Sequence, residues 1–519
     1  MRLVLATINA KYTHASFGLR CLKANLGPFA DATPLLEFTS TERPSDIIER
    51  LLQHEPTVLG LGVYVWNAQL TLEVVRGLKK LRPALVVVLG GPEVSHEPDA
   101  QELVTLADYV IAGEGEVALR TLVEALARGE RPATKCIDGG KPSLSQLASP
   151  YPLYSADDLQ HRVVYVEASR GCPYTCEFCL SALDDGVRTF PLEPFLAELQ
   201  LLLDRGLRQF KFVDRTFNLK LDFSLAILRF FRARLELGLF LHFEMIPDRL
   251  PQALRDELAL FPPGVVQLEL GVQTLNPAVG ALIRRKQDVA KLSDNLRFLR
   301  AHTGVHLHAD LIVGLPGETL ESFGRGFDAL FALGPHEIQV GVLKRLRGAP
   351  IARHTQSHAM LYADTAPYEV LQTAALSFAD VQRLKRFARY FDLVVNNGRF
   401  PKTSALLLGG ESAFSSFLAF SDWLWAETKA THGISLPRLA KLLERYLGSA
   451  AVATALEEDL GRAQLPVESL GHARRQVRHG HPSPRPSPPR GERETGELRA
   501  PHPDPLPAHA GRGREESYE

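Results

Sequence analysis

RVVYVEASRGCPYTCEFCL, residues 162–180, decides how this chain is read. Its first half, RVVYVEAS (162–169), is an apolar, β-branched run with the make-up of a buried strand. Directly after it come Cys172, Cys176 and Cys179, spaced C-x3-C-x2-C in a loop that Pro173 stiffens and Gly171 loosens. The chain has 519 residues and five cysteines, and three of them packed into one loop do not look like a disulfide framework. Thiolates are the preferred ligands of iron–sulfur clusters, and three of them hold three irons of a cubane while leaving the fourth iron open. A structural zinc site wants four closed ligands, and no fourth Cys or His stands near this loop in sequence.

Downstream, QFKFVD (209–214), FLHFEMI (240–246), VVQLELGVQ (265–273), VHLHADLIVG (305–314) and HEIQVGVLK (336–344) alternate with helical patterns. With the first strand they predict a partial (βα)6 TIM-type barrel over 161–350, reactive at its strand C-termini. Upstream, LVLATI (3–8), PLLEF (34–38), VLGLGVYVW (58–66), LVVVLGG (85–91) and YVIAG (109–113) alternate with amphipathic segments for which Ser45 and Asn67 are candidate caps. Five such units predict an α/β fold, a doubly wound, Rossmann-like sheet over 1–137 whose ligand crevice lies at the strand C-termini. A Pro, Gly and Ser-rich stretch makes 138–160 a linker, 351–470 reads as a separate, mostly helical region, and 471–519 reads as a disordered Pro-rich tail.

Hydrophobic residues at 45% and charged ones at 23% are ordinary for a folded multidomain protein, and a net charge of -1 offers no overall basic field for nucleic acid. No run approaches the roughly 20 apolar residues of a membrane span, and MRLVLATINAKYTHASFGL lacks the features of a secretory signal, so a cytoplasmic location is expected. Cys21 and Cys136 read as packing thiols and His14 as a hydrogen-bonded structural residue.

With the aromatic Phe178 just before its last cysteine, the loop resembles that of the radical S-adenosylmethionine (SAM) superfamily. The resemblance implies a [4Fe–4S] cluster, SAM, its cleavage to a 5′-deoxyadenosyl radical, a small-molecule substrate and a reductant such as flavodoxin or ferredoxin. It extends to VDRTFN (213–218), with Asp214, Thr216 and Asn218; to Glu244 in FEMIPD; to Glu269 and Gln273 in LELGVQTLNP; and to HADLIVGLPGETLESF (308–323), with Asp310, Gly314 and Gly317. With Phe178 these are the residues expected to meet SAM. The polar residues of 214–218 read equally well as a turn with local hydrogen bonds, and the two glutamates alternatively as partners in an internal salt bridge.

The α/β domain ahead of the barrel is similar to the cobalamin-binding domain of one branch of that superfamily, through GGPEVS (90–95) and GEGE (113–116). Asn9, Tyr64, Asn67, Gly90, Gly91, Gly113 and Glu114 form the expected rim. The D-x-H-x-x-G element that supplies a cobalt-ligating histidine is absent, and the nearest approximation, His14 to Gly18, has the wrong spacing. The combined resemblance implies cobalamin-assisted methylation of an unactivated carbon. Radical ring formation or rearrangement is the second enzymatic reading, and a non-catalytic cobalamin or cluster-binding sensor the third.

Overall fold

The computed structural model describes residues 1–463. Its first strand, β1 (Leu3–Asn9), is buried at every position, because it lies inside a sheet covered on both faces by helices. The sheet is wholly parallel, in the order β2 (Leu35–Thr39), β1, β3 (Val58–Gly62), β4 (Val86–Gly90), β5 (Tyr109–Ala112) and β6 (Cys136–Asp138). Chain direction across the sheet reverses between β1 and β3, which places the ligand crevice beyond their carboxyl ends. The sixth strand corrects the expected five: CID is too short and too polar to be read as a strand from its pattern, and its pairing with β5 creates it. Cys136 is exposed on this edge rather than packed, whereas Cys21 is buried as expected.

The second parallel sheet runs β7 (Val164–Val166), β10 (Gln209–Phe212), β11 (Phe240–Met245), β12 (Val266–Gln273), β13 (His306–Val313) and β14 (Glu337–Val342), six strands in chain order. Between β7 and β10 the chain makes an antiparallel hairpin of β8 (Ser169–Cys172) and β9 (Gly186–Thr189). All three cysteines lie on the segment that this hairpin closes. Gly171, at φ +91, is required where its strands meet, since a Cβ there would stand 2.2 Å from the Gly186 carbonyl oxygen.

Along β12 burial alternates residue by residue: Leu268, Leu270 and Val272 pack outward, while Gln267, Glu269, Gly271 and Gln273 face the interior. The helices after residue 377 are not a separate region. Phe387 and Phe391 stand edge-on to Phe327 of the barrel at 5.1 and 5.2 Å, so these helices share the barrel's apolar core. Two further expectations change in detail. Helix Pro44–Gln53 begins one residue before Ser45, whose hydroxyl bonds Asp46 instead of capping, and Asn67 precedes its helix without a capping bond. Thr319 caps the helix Leu320–Ala332, accepting from the Ser322 amide. No described helix is long and apolar enough to cross a membrane, and the tail expected from 471 onward lies outside the described residues.

Candidate functional site

The cysteine loop is built onto a charged seam. Arg170, two residues before Cys172, reaches Glu114 at 2.9 Å, Glu116 at 2.7 Å and Glu167 at 2.9 Å, and Arg188 of β9 also contacts Glu114. The GEGE turn after β5 is thereby joined to the strand entering the cysteine loop. Three carboxylates face two guanidinium groups here, and burial pushes the Glu167 carboxyl up to about 7. A second buried set lies nearby: Arg20 and Arg162 each bond Glu37 and Asp158 at 2.7–2.9 Å, and Asn9 donates to Glu37 at 2.6 Å. His14 Nδ1 lies 2.6 Å from the Tyr165 hydroxyl, so its ring is held between the two sheets, the structural role its surroundings in sequence suggested.

Within the loop, Cys172 Sγ lies 3.5 Å from Thr216 Oγ1, and Arg285 Nη1 lies 3.5 Å from Cys176 Sγ. Burial raises the Cys176 thiol pKa, with Cys179 and Cys172 adding to the rise and Arg285 opposing it. Among the described residues no group of three or more His, Cys, Asp or Glu is drawn into metal-binding separation. The donor set still suits an iron–sulfur cluster. It offers three thiols on one short loop, a guanidinium against one of them, and a nearby imidazole, His354, already committed to Glu177 at 2.7 Å.

Several residues expected to meet SAM line the barrel interior. The register sets Glu244, Glu269, His308 and Glu337 in one row, with Gly271, Asp310 and Gln339 in the next. Burial pushes Glu244 up to about 7. A hydrogen bond from His242, 2.9 Å away, holds Glu269 down at about 2. His308 Nε2 and Asp310 Oδ1 are 3.4 Å apart yet misaligned, leaving both atoms buried without a hydrogen-bond partner. Gln273 sits at φ +69 on a bulge, and Gly314 and Gly317 at φ +87 and +78 turn the chain past the end of β13. Phe178 packs on an apolar cluster beside β14 and opens onto a cavity of about 690 Å³, whose walls include His308, Lys344, Lys385 and Arg389.

Other expected binders have polar atoms engaged by the protein itself. Both carboxylate oxygens of Asp214 are engaged, by the Ala168 amide at 3.0 Å and the Ser169 hydroxyl at 2.5 Å, and burial raises its pKa to about 6. Asn218 bonds the backbone of Ile246 and Arg249, and Asn67 that of Ile8, Gly62 and Tyr64. These side chains hold loops in shape. His242, His308, Arg170, Glu177 and Arg285 were not anticipated. The alternation of FLHFEM and HLHAD marks the two interior histidines, whereas the contacts of Arg170 with Glu114 and Glu116 and of Arg285 with Cys176 span 54 to 109 positions and leave no local trace.

In the first sheet Tyr64, Gly90, Gly91, Gly113 and Glu114 line one crevice of about 260 Å³, together with Gly60, Gly62, Cys21 and Arg170. Tyr64 stacks on Trp66 at 4.5 Å. Gly91, at φ +105, is required where a Cβ would stand 2.5 Å from the Val63 carbonyl oxygen. Such a narrow, glycine-walled slot fits a flat or ribbon-like group entering between β1, β3 and β4. The glycines and Tyr64 of this crevice are the residues that would hold such a group.

Comparison with known proteins agrees with both halves. Residues 3–123 match the B12 binding domain, 166–329 the radical SAM superfamily, and 356–462 a family described as a protein of unknown function (DUF4080). The chain is 30% identical over 347 residues to the cobalamin-dependent radical SAM methyltransferase TokK of Streptomyces tokunonensis, a match covering 57% of this chain and 48% of TokK. It is 28% identical over 328 residues to 2-(S-pantetheinyl)-carbapenam-3-carboxylate methyltransferase of Streptantibioticus cattleyicolor, covering 57% and 48%. The chain thus spans about half the length of these curated relatives. In fold it is similar to the cobalamin-dependent SAM radical enzyme OxsB, with TM-score 0.60 and 14% identity over 89% of this chain and 81% of OxsB. It is also similar to the radical SAM methyltransferase TsrM of Kitasatospora setae, with TM-score 0.57 and 19% identity over 72% and 82%. Along the chain, then, a B12-binding match lies ahead of a radical SAM superfamily match, with a DUF4080 match behind it.

Proposed function

We propose that this chain is a cobalamin-dependent radical SAM enzyme that methylates an unactivated carbon of a small molecule. The observation that carries the reading is the seam of Arg170, Glu114, Glu116 and Glu167, which ties the crevice of the first sheet to the cysteine loop of the barrel. When bound, the cluster supplies the electron that cleaves SAM to a 5′-deoxyadenosyl radical, and cobalamin supplies the methyl group.

The chain's own residues bind and orient. Cys172, Cys176 and Cys179 take three irons, and Arg285 offsets thiolate charge at Cys176. Glu269, kept ionised by His242, suits a cationic or hydroxyl-bearing part of SAM, and the backbone at Gly314 and Gly317 admits the flat adenine. Glu244, with its pKa near neutrality, holds or yields a proton in the interior. Thr216, Gln273 and Asp310 complete the polar wall. Gly90, Gly91, Gly113 and Tyr64 shape the cobalamin slot, and the cavity beside Phe178, walled on one side by the C-terminal region, receives the substrate.

The test is anaerobic turnover of the chain reconstituted with iron, sulfide and hydroxocobalamin, supplied with SAM and a reductant. Release of both S-adenosylhomocysteine and 5′-deoxyadenosine supports methylation. Release of 5′-deoxyadenosine alone points to ring formation or rearrangement, and neither product leaves the sensor reading.

A further inference from the structure

Glu177 lies between Cys176 and Cys179 and is only 1% exposed. Its backbone is tied on both sides: its amide donates to the Ile283 carbonyl at 3.0 Å, and its carbonyl accepts from the Ile351 amide at 2.8 Å. Its carboxylate is gripped from the far end of the barrel chain. Arg353 approaches Oε2 at 2.8 Å and Oε1 at 2.7 Å, His354 lies 2.7 Å from Oε2, and Arg284 lies 3.0 Å from Oε1. The two contacts to Oε1 are ion pairs rather than aligned hydrogen bonds. Phe178 and Leu180, flanking Cys179, rest on an apolar cluster that includes Ile283, Ile351 and Val370.

A buried carboxylate with several cationic partners is not needed to fill this space, since apolar side chains of similar volume often stabilise as well. What these contacts add is directional restraint, since Arg353 and His354 both reach Oε2 at hydrogen-bond distance while the ion pairs hold Oε1. The partners Arg353 and His354 lie on the short 3-10 helix Pro350–His354, between the radical SAM match ending at 329 and the DUF4080 match beginning at 356.

We infer that this turn is a clamp on the cluster loop: Arg353 and His354 hold Glu177 and so set the placement of Cys176 and Cys179. Both are positioning residues. The inference rests on the proposed role of the loop as cluster ligand, but the clamp itself is read out in the apoprotein.

Hydrogen–deuterium exchange of the full apo chain is compared between wild type, Arg353→Ala and Arg353→Lys. Exchange across 176–180 is expected to rise at least about tenfold in Arg353→Ala with the sheets unchanged, and by less in Arg353→Lys, which keeps the charge and loses the fork. Iron retained after anaerobic reconstitution should fall in the same order, with an altered electron paramagnetic resonance (EPR) signal of the reduced cluster. Should Arg353→Ala unfold broadly, Arg353→Lys decides alone, with local loosening supporting the clamp and wild-type exchange overturning it. Unchanged exchange at 176–180 in both variants overturns it as well. Wild-type protein that takes up no iron removes the proposed function while leaving the exchange result to judge the clamp.

Discussion

Arg170 Nη1 lies 2.9 Å from Glu114 Oε2, so the residue two positions before the first cysteine is bonded to the turn after the fifth strand of the other sheet. Arg170 also holds Glu116 and Glu167. Arg170→Ala therefore leaves three carboxylates with Arg188 alone among them, and removing one partner of a buried ion set costs about 3–5 kcal/mol. The midpoint of urea denaturation should fall accordingly, with Arg170→Lys in between because it cannot reach all three at once. A midpoint unchanged in Arg170→Ala would show the seam to be incidental.

Glu167 gives the protein a pH signature. Burial raises its pKa to about 7 in the folded chain, above its ordinary value near 4.5, so the folded state binds this proton more tightly than the unfolded one. The associated stability is fully present below about pH 4.5 and is lost as pH rises through about 7, amounting to roughly 3 kcal/mol at most. Glu244 at about 7 and Asp214 at about 6 act in the same direction, whereas Glu269, held at about 2, contributes stability that is lost only on acidification below its ordinary range. Urea midpoints at pH 5 and 7.5 should differ less in Glu167→Gln than in wild type, and an equal difference would remove Glu167 as the source.

Gly91→Ala tests the crevice. The added Cβ meets the Val63 carbonyl oxygen at 2.5 Å in a backbone conformation of φ +105, so the turn after β4 must shift, at about 1–3 kcal/mol. Equilibrium dialysis against hydroxocobalamin should show weakened binding. Gly129→Ala is the control, since its φ is +81 but nothing lies within 4 Å of the new Cβ, so it should bind as wild type does.

How much of this was legible in the sequence depended on range. The parallel strands were readable because LVLATI and LVVVLGG are continuous apolar runs, and the interior face of β12 because VQLELGVQ alternates strictly. The β8–β9 hairpin escaped because SRGC and GVRT carry neither pattern and become strands only by pairing with each other. β6 escaped for the same reason. In the site, cysteine spacing is local and plain, while what surrounds the cysteines is not: Arg353 meets Glu177 across 176 positions, and Arg285 meets Cys176 across 109. Asp214, Asn218 and Asn67 hold backbone near strand ends, the local hydrogen bonding that the sequence left open for 214–218.

The central claim, that Cys172, Cys176 and Cys179 carry a cluster that cleaves SAM, is tested most directly by measuring 5′-deoxyadenosine after anaerobic reconstitution and reduction in the presence of SAM. Wild type should release it, and Cys176→Ala, treated identically, should release none. A wild-type chain that holds a full complement of iron and sulfide yet produces no 5′-deoxyadenosine would contradict the account.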